Sequence, residues 1–179
     1  DRQAEIASPW AMRVAVPADC RIEFRDRLQG LQVSALGREL RDFVVRRKDG
    51  LDAYQLAVVV DDAKQGITDV VRGSDLLDST PRQIFLQQLL GLGAPRYCHL
   101  PVITNSQGQK LSKQNRAPAL DDGRPADNLR RALHFLQQEA PPAQLRDVGD
   151  LLAFAARHWD LRRVPATLAV MAPGASRAP

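Results

Sequence analysis

"TDVVRGSDLLDSTPRQIFLQQLLGLGAPRYCHLPVIT", residues 68–104, decides how this chain folds. A short valine-centred run ends at Arg72 and Gly73, which predicts a strand. A helix with clear start signals follows. Thr80 stands at an N-cap position, Pro81 at the first helical position, and Gln83 completes a capping box. Ile84, Phe85, Leu86, Leu89 and Leu90 supply its buried stripe, and Gly91 or Gly93 ends it. "CHLPVIT" then reads as a further buried strand. Strand, helix, strand over so short a span is a βαβ unit, which predicts a right-handed crossover and a parallel sheet.

Working outward, "AYQLAVVVDD" contains an unbroken apolar run at 56–60, the pattern of a strand covered on both faces. Before it, "AMRVAVP", "CRIEFRDRLQGLQVS" and "DFVVRRKDG" alternate apolar and polar residues with turn signals between them, so residues up to Gly50 predict a small antiparallel layer. Beyond Ala119 the period becomes helical. Leu129, Leu133 and Leu136 mark one helix with Asp127 as cap; Leu151, Leu152, Phe154 and Ala155 mark another starting near Val148. After Trp159 the chain runs into small residues and prolines, and its last eight or so are expected to fray. The expected divisions are 1–50, 51–120, 121–170 and a tail at 171–179.

Composition narrows the class. Of 179 residues 44% are hydrophobic and 26% charged, as in globular proteins rather than disordered ones. No apolar run approaches the roughly 18 residues of a membrane span, and no secretory pattern opens the sequence, so the cytoplasm is the simplest location. The net charge of +4 is compatible with a polyanionic partner, but arginine clusters such as "NLRRALHF" lack the aromatic interleaving of single-strand binders. Cys20 and Cys98 are far apart and form no CxxC pair; buried or half-buried thiols are expected.

Ligands of α/β sheets bind at the carboxyl ends of the strands. That rule selects Asp61 and Asp62, then Arg72 with Gly73, then the loop carrying Lys110 and Lys113 behind Gly108. A guanidinium fixed at a strand end makes a rigid fork for a carboxylate or phosphate; an ion pair with Asp69, Asp75 or Asp78 is the plainer alternative. Asp61 and Asp62, adjacent on a strand, would face opposite ways, and turn capping is their plainer role. Tyr54 could simply pack in the core. Two lysines on a mobile loop could close over a polyphosphate and neutralise charge that grows as a phosphoryl bond breaks, or simply be solvated. His99, His134 and His158 are unclustered and fit structural or surface roles. No Ser-His-Asp order and no G-x-x-x-x-G-K-[ST] loop is present.

"KLSKQ" at 110–114 resembles the KMSKS signature of class I aminoacyl-tRNA synthetases, and "VVRGSDLLDSTPRQI" with "AYQLAVVVDDAKQGITD" is similar to the glutamyl/glutaminyl subgroup. Within it, "KLSKQN" and the short remainder look most like the glutamyl-queuosine tRNA(Asp) branch. The resemblance runs from about Asp42 to Leu120. It implies the second half of a Rossmann-type sheet after a remnant of the acceptor-binding insertion, with a helical region behind it. The implied activity is ATP-dependent activation of L-glutamate, with Mg, and transfer to the queuosine base of tRNA(Asp) by a monomeric enzyme. By position, Tyr54 and Arg72 match the glutamate-binding tyrosine and arginine. Lys113, assisted by Lys110, matches the lysine on the reacting phosphates, with Leu111, Ser112 and Gln114 completing the ATP loop. The HIGH motif and the zinc-binding cysteines of such enzymes are not in this sequence, so zinc is expected only in a preceding portion, and this chain alone is expected to be catalytically incomplete. Two alternatives stand beside this reading: part of a conventional glutamyl-tRNA synthetase, or a non-catalytic RNA- or partner-binding module of the same fold.

Overall fold

The computed structural model describes residues 10–112, 117 and 119–172. The chain divides into two compact units, one formed by residues up to Arg72 together with Leu76–Cys98, the other by Gly73–Asp75 together with the residues from His99 onward.

In the first unit, β1 (Met12–Ala15) pairs antiparallel with β4 (Asp42–Arg46). β2 (Ile22–Asp26) and β3 (Gly30–Ser34) form a hairpin. Its turn is built by Asp26, whose carboxylate accepts from the backbone N–H groups of Leu28 and Gln29 at 3.0 and 2.8 Å, while Gly30 adopts φ 75°. The antiparallel layer is therefore two separate pairings, linked through the one-turn helix α1 (Leu36–Glu39).

The apolar run at 56–60 is helical, not extended: α2 covers Tyr54–Lys64. Periodicity alone does not separate a short buried strand from a buried helix segment, and length arbitrates. Here Gln55, Leu56, Ala57, Ala63 and Lys64 flank the valines with good helix formers, and no Gly or Pro intervenes before Gly66. Val59 is buried, and the helix packs on β4 and on a later helix, α3 (Thr80–Leu89). Asp61 and Asp62 consequently lie in the last turns of a helix, not beyond a strand.

The βαβ unit is present as β5 (Asp69–Gly73), α3 and β6 (Arg96–Leu100). β6 lies between β5 and β2 in a mixed sheet ordered β3-β2-β6-β5 and runs parallel to β2 at the Asp26–Tyr97 pair. Phe43, Val45, Val59, Ile84, Phe85 and Leu86 contribute to the core of this unit. Gly91, at φ 66°, follows the end of α3 as expected for a left-handed helix stop. Thr80 does not cap α3. The residue before the helix is Ser79, which closes a 3-10 turn over Ser74–Ser79, so Thr80 lies inside the first turn.

"CHLPVIT" is two strands. Pro101 has no N–H to give a ladder, and beyond it β7 (Val102–Thr104) belongs to a second sheet. Its parallel partner is β8 (Ala169–Met171), inside the stretch expected to decay into a tail. Val102 N–H donates to Leu168 O at 3.1 Å and Ala172 N–H to Thr104 O at 2.9 Å, which ties the short strand in at both ends. Residues 173–179 lie outside the described residues.

The rest of the second unit is helical, as expected. In α4 (Pro125–Phe135) the cap position falls on Arg124 because Pro125 takes the first turn, and Asp127 pairs with Arg124 at 2.6 Å instead of capping. Asp147 caps α5 (Val148–Arg157) by accepting from Asp150 N–H at 3.0 Å. Arg130 gathers the carbonyls of Pro141, Pro142 and Leu145 at 2.7, 2.8 and 2.5 Å, closing the Pro-Pro connection. Among the described residues no helix is long and apolar enough to cross a membrane.

Candidate active site

Arg72 stands on β5 just before Gly73, and its Nη2 enters a cradle of neutral oxygens. It donates to Thr80 Oγ1 and Gln83 Oε1, each at 2.8 Å, and more weakly to Leu76 O at 3.4 Å. The guanidinium lies 5.5 Å from the ring centroid of Tyr97, a cation–π arrangement. Of the carboxylates considered as partners, Asp69 pairs with Arg96 at 2.6 Å and with Arg27 at 3.6 Å, and Asp75 pairs with Lys110. The local sequence explains the cradle. Threonine and glutamines at 80, 83 and 87 recur at helical spacing, forming a buried polar stripe on α3 that faces the strand end. The residues that look like a capping box are therefore the arginine's acceptors.

Gln83, only 2% exposed, extends the network, donating from Nε2 to Gln55 Oε1 at 2.9 Å. Gln55 in turn donates to Ser79 Oγ at 3.1 Å. Gln87 donates to the Tyr97 hydroxyl at 3.1 Å. Tyr54 opens α2 with half its surface exposed, so it is not a core residue. Tyr97 reports on what surrounds it. Burial pushes its phenol pKa up, the Gln87 hydrogen bond and the Arg72 charge pull it down, and Asp62 and Tyr54 push it up again. Tyr54 and Arg72 thus share electrostatic reach of one buried ring, within the first unit.

In the second unit, Lys110 bridges to Thr104 across the turn over Asn105–Gln109, where Gly108 takes φ 76°. The Asn105 side chain accepts from the N–H groups of Gln107 and Gln109 at 3.0 and 2.9 Å, which shapes the turn. Lys110 Nζ pairs with Asp75 at 2.5 Å. Leu111 N–H donates to Ile103 O at 2.8 Å. Ser112 ends this described stretch; Lys113 and Gln114 lie outside the described residues.

Gln55 and Tyr97, which surround Arg72 and Gln83, go unremarked in the sequence, while Thr80 and Gln83 read there only as a helix cap and its box. The 3- and 4-residue spacing of polar residues on an otherwise apolar α3 is the signal that would find two of them. A cavity of about 330 Å³ elsewhere in the first unit, lined by Phe24, Ser34, Glu39, Asp78 and Arg82 among others, includes neither Tyr54 nor Arg72. Burial pushes both cysteine thiols up, so neither is a poised nucleophile. His99 is fully buried, and His158 stacks on Phe154 at 4.1 Å. Among the described residues no group of three or more His, Cys, Asp or Glu side chains is arranged to hold a metal.

Arg72 near the end of β5 and Tyr54 at the start of α2 both lie in the first unit of a mixed α/β fold. Residues 2–135 match the family of class I tRNA synthetases (E and Q), catalytic domain, and the chain belongs to that family. It is 54% identical over 162 residues to the glutamyl-Q tRNA(Asp) synthetase of Pseudomonas fluorescens, a match spanning 89% of this chain and 54% of that protein. It is likewise 54% identical over 157 residues to the corresponding protein of Pseudomonas paraeruginosa, spanning 87% and 53%. The chain thus spans about half the length of the curated relatives it matches. Among solved structures, the glutamate-tRNA synthetase of Elizabethkingia anophelis aligns with a TM-score of 0.71 at 22% identity, over 97% of this chain and 38% of that one. That likeness concerns the fold.

Proposed function

We propose that this chain is part of an enzyme that activates L-glutamate with ATP and transfers it to the queuosine base of tRNA(Asp). The 54% identity to glutamyl-Q tRNA(Asp) synthetases carries the reading; the Arg72 cradle gives it chemistry. In the first step an oxygen of the α-carboxylate attacks the α-phosphorus of ATP, and the bond to pyrophosphate breaks. In the second, the acceptor on the base takes the glutamyl group and AMP leaves. Because the α-carboxylate is the nucleophile, the carboxylate left for a fixed guanidinium is the side-chain one. Arg72 holds it, and the Tyr54 hydroxyl adds a hydrogen bond. Lys113, assisted by Lys110, stabilises charge on the reacting phosphates, with Leu111, Ser112 and Gln114 along the nucleotide; Mg accompanies ATP. The sheet is read as the second half of a Rossmann-type domain, completed by chain outside these residues, where any zinc would also be held.

Charging assays on the protein carrying this chain test the proposal. Glutamate attached to tRNA(Asp) containing queuosine, and not to the unmodified tRNA, is the expected result. Charging of tRNA(Glu) overturns it in favour of a conventional synthetase, and absence of glutamate-dependent pyrophosphate exchange overturns catalysis altogether.

A further inference from the structure

We propose that Gln83 is a positioning residue for acidic-substrate recognition: its amide fixes the direction of the Arg72 guanidinium and ties it to the start of α2, where Tyr54 sits. The inference rests on the glutamate-binding reading of Arg72 and Tyr54 and adds a residue that itself touches no substrate.

The order of the network follows from donor and acceptor chemistry. A guanidinium only donates, so the Gln83 atom 2.8 Å from Arg72 Nη2 is the amide oxygen. Its Nε2 is thereby turned toward Gln55, whose Oε1 accepts at 2.9 Å. Gln55 Nε2 is left to donate to Ser79 Oγ at 3.1 Å. The donor-only character of Arg72 therefore sets both amides along the chain. Gln55 directly follows Tyr54 in the first turn of α2, so one buried amide references the arginine on β5 and the tyrosine on α2 to each other. An amide also suits the charge requirement. It orients the guanidinium without cancelling its charge, whereas a carboxylate at the same place would form a charge-assisted pair and compete with the substrate for the cation.

Glutamate-dependent pyrophosphate exchange in the full-length protein carrying this chain tests the role, with Gln83→Leu, Gln83→Glu and Gln55→Leu compared with wild type and Arg72→Ala. Removing a hydrogen bond to a charged group shifts affinity about tenfold or more. Gln83→Leu is expected to raise the glutamate KM by about that factor while the ATP KM stays within about twofold, which a general structural defect would not do. Gln83→Glu is expected to do more: by neutralising Arg72 it also lowers the preference for glutamate over glutamine, which the leucine variant largely keeps. Gln55→Leu moves the glutamate KM in the same direction by less, and it carries the test if Gln83→Leu does not fold. The proposal is overturned if folded Gln83→Leu keeps the wild-type glutamate KM, if glutamate and ATP KM rise together, or if the Glu and Leu variants discriminate substrates alike. An indifferent Arg72→Ala would instead sink the glutamate-site reading itself, so the two failures are distinguishable.

Discussion

Arg72 and Lys110 are both cations at strand margins, yet Arg72 donates to a carbonyl, a hydroxyl and an amide oxygen, whereas Lys110 reaches over half-exposed surface to a carboxylate. Neutral acceptors aim a guanidinium without themselves cancelling its charge. An exposed ion pair partly cancels the charge and is exchangeable, because water and salt compete for both partners. The first arrangement suits a subsite that must select an acidic substrate. The second suits a lysine that trades one anionic partner for another.

The largest expected effect follows from removing the aimed charge. In the protein carrying this chain, Arg72→Ala should cost about 2–5 kcal/mol in glutamate recognition, roughly thirtyfold or more in KM. Steady-state exchange kinetics at varied glutamate would measure it. Arg72→Lys should recover little, since a point charge does not reproduce the fork that meets Thr80 and Gln83. If lysine restores the wild-type KM, direction is not what the cradle supplies.

What the sequence made legible divides along the same line. The βαβ unit, the β2–β3 hairpin and the helices at 125–135 and 148–157 follow from apolar period and turn residues, because those signals are local. The sequence of α2 reads equally as a strand because five apolar residues in a row satisfy either a buried strand or a buried helix face. β8 leaves little signal because it is three residues long, too short to show an alternating pattern, and stands between Pro165 and Pro173 in the sequence. At the candidate site, the strand-end rule singles out Arg72, and family resemblance alone singles out Tyr54. Gln83 and Thr80 were visible but assigned to helix capping, since their actual partner is an arginine contributed by a different element.

Smaller effects sharpen the contrast between aimed and screened groups. Tyr54→Phe removes one hydroxyl from a half-exposed ring and should cost about 0.5–1.5 kcal/mol in glutamate recognition with unchanged ATP KM. A loss as large as that of Arg72→Ala would mean Tyr54 does more than add a hydrogen bond. Lys110→Ala breaks the Asp75 pair, whose side chains are 50% and 37% exposed, so thermal unfolding should change by at most about 1 kcal/mol. That difference should shrink in high salt. A salt-independent loss would place Lys110 among the aimed groups instead.

The smallest expected effect lies at the other end of the strand that carries Arg72. Asp69 opens β5, and the Arg96 hydrogen bond, supported by Arg27, holds its carboxyl below the usual aspartate range. A carboxyl with a depressed folded-state pKa adds stability that is fully present above its unfolded value, about 3.9, and is lost as pH falls through the lowered folded value. Asp69→Asn should therefore lower the unfolding midpoint slightly at neutral pH and flatten the acid limb of the stability curve below about pH 4. Added salt should reduce the difference, because Arg96 is largely exposed. A variant that instead changes the glutamate KM would show that the strand transmits charge changes from its first residue to Arg72, and the separation between a screened strand start and an aimed strand end would not hold.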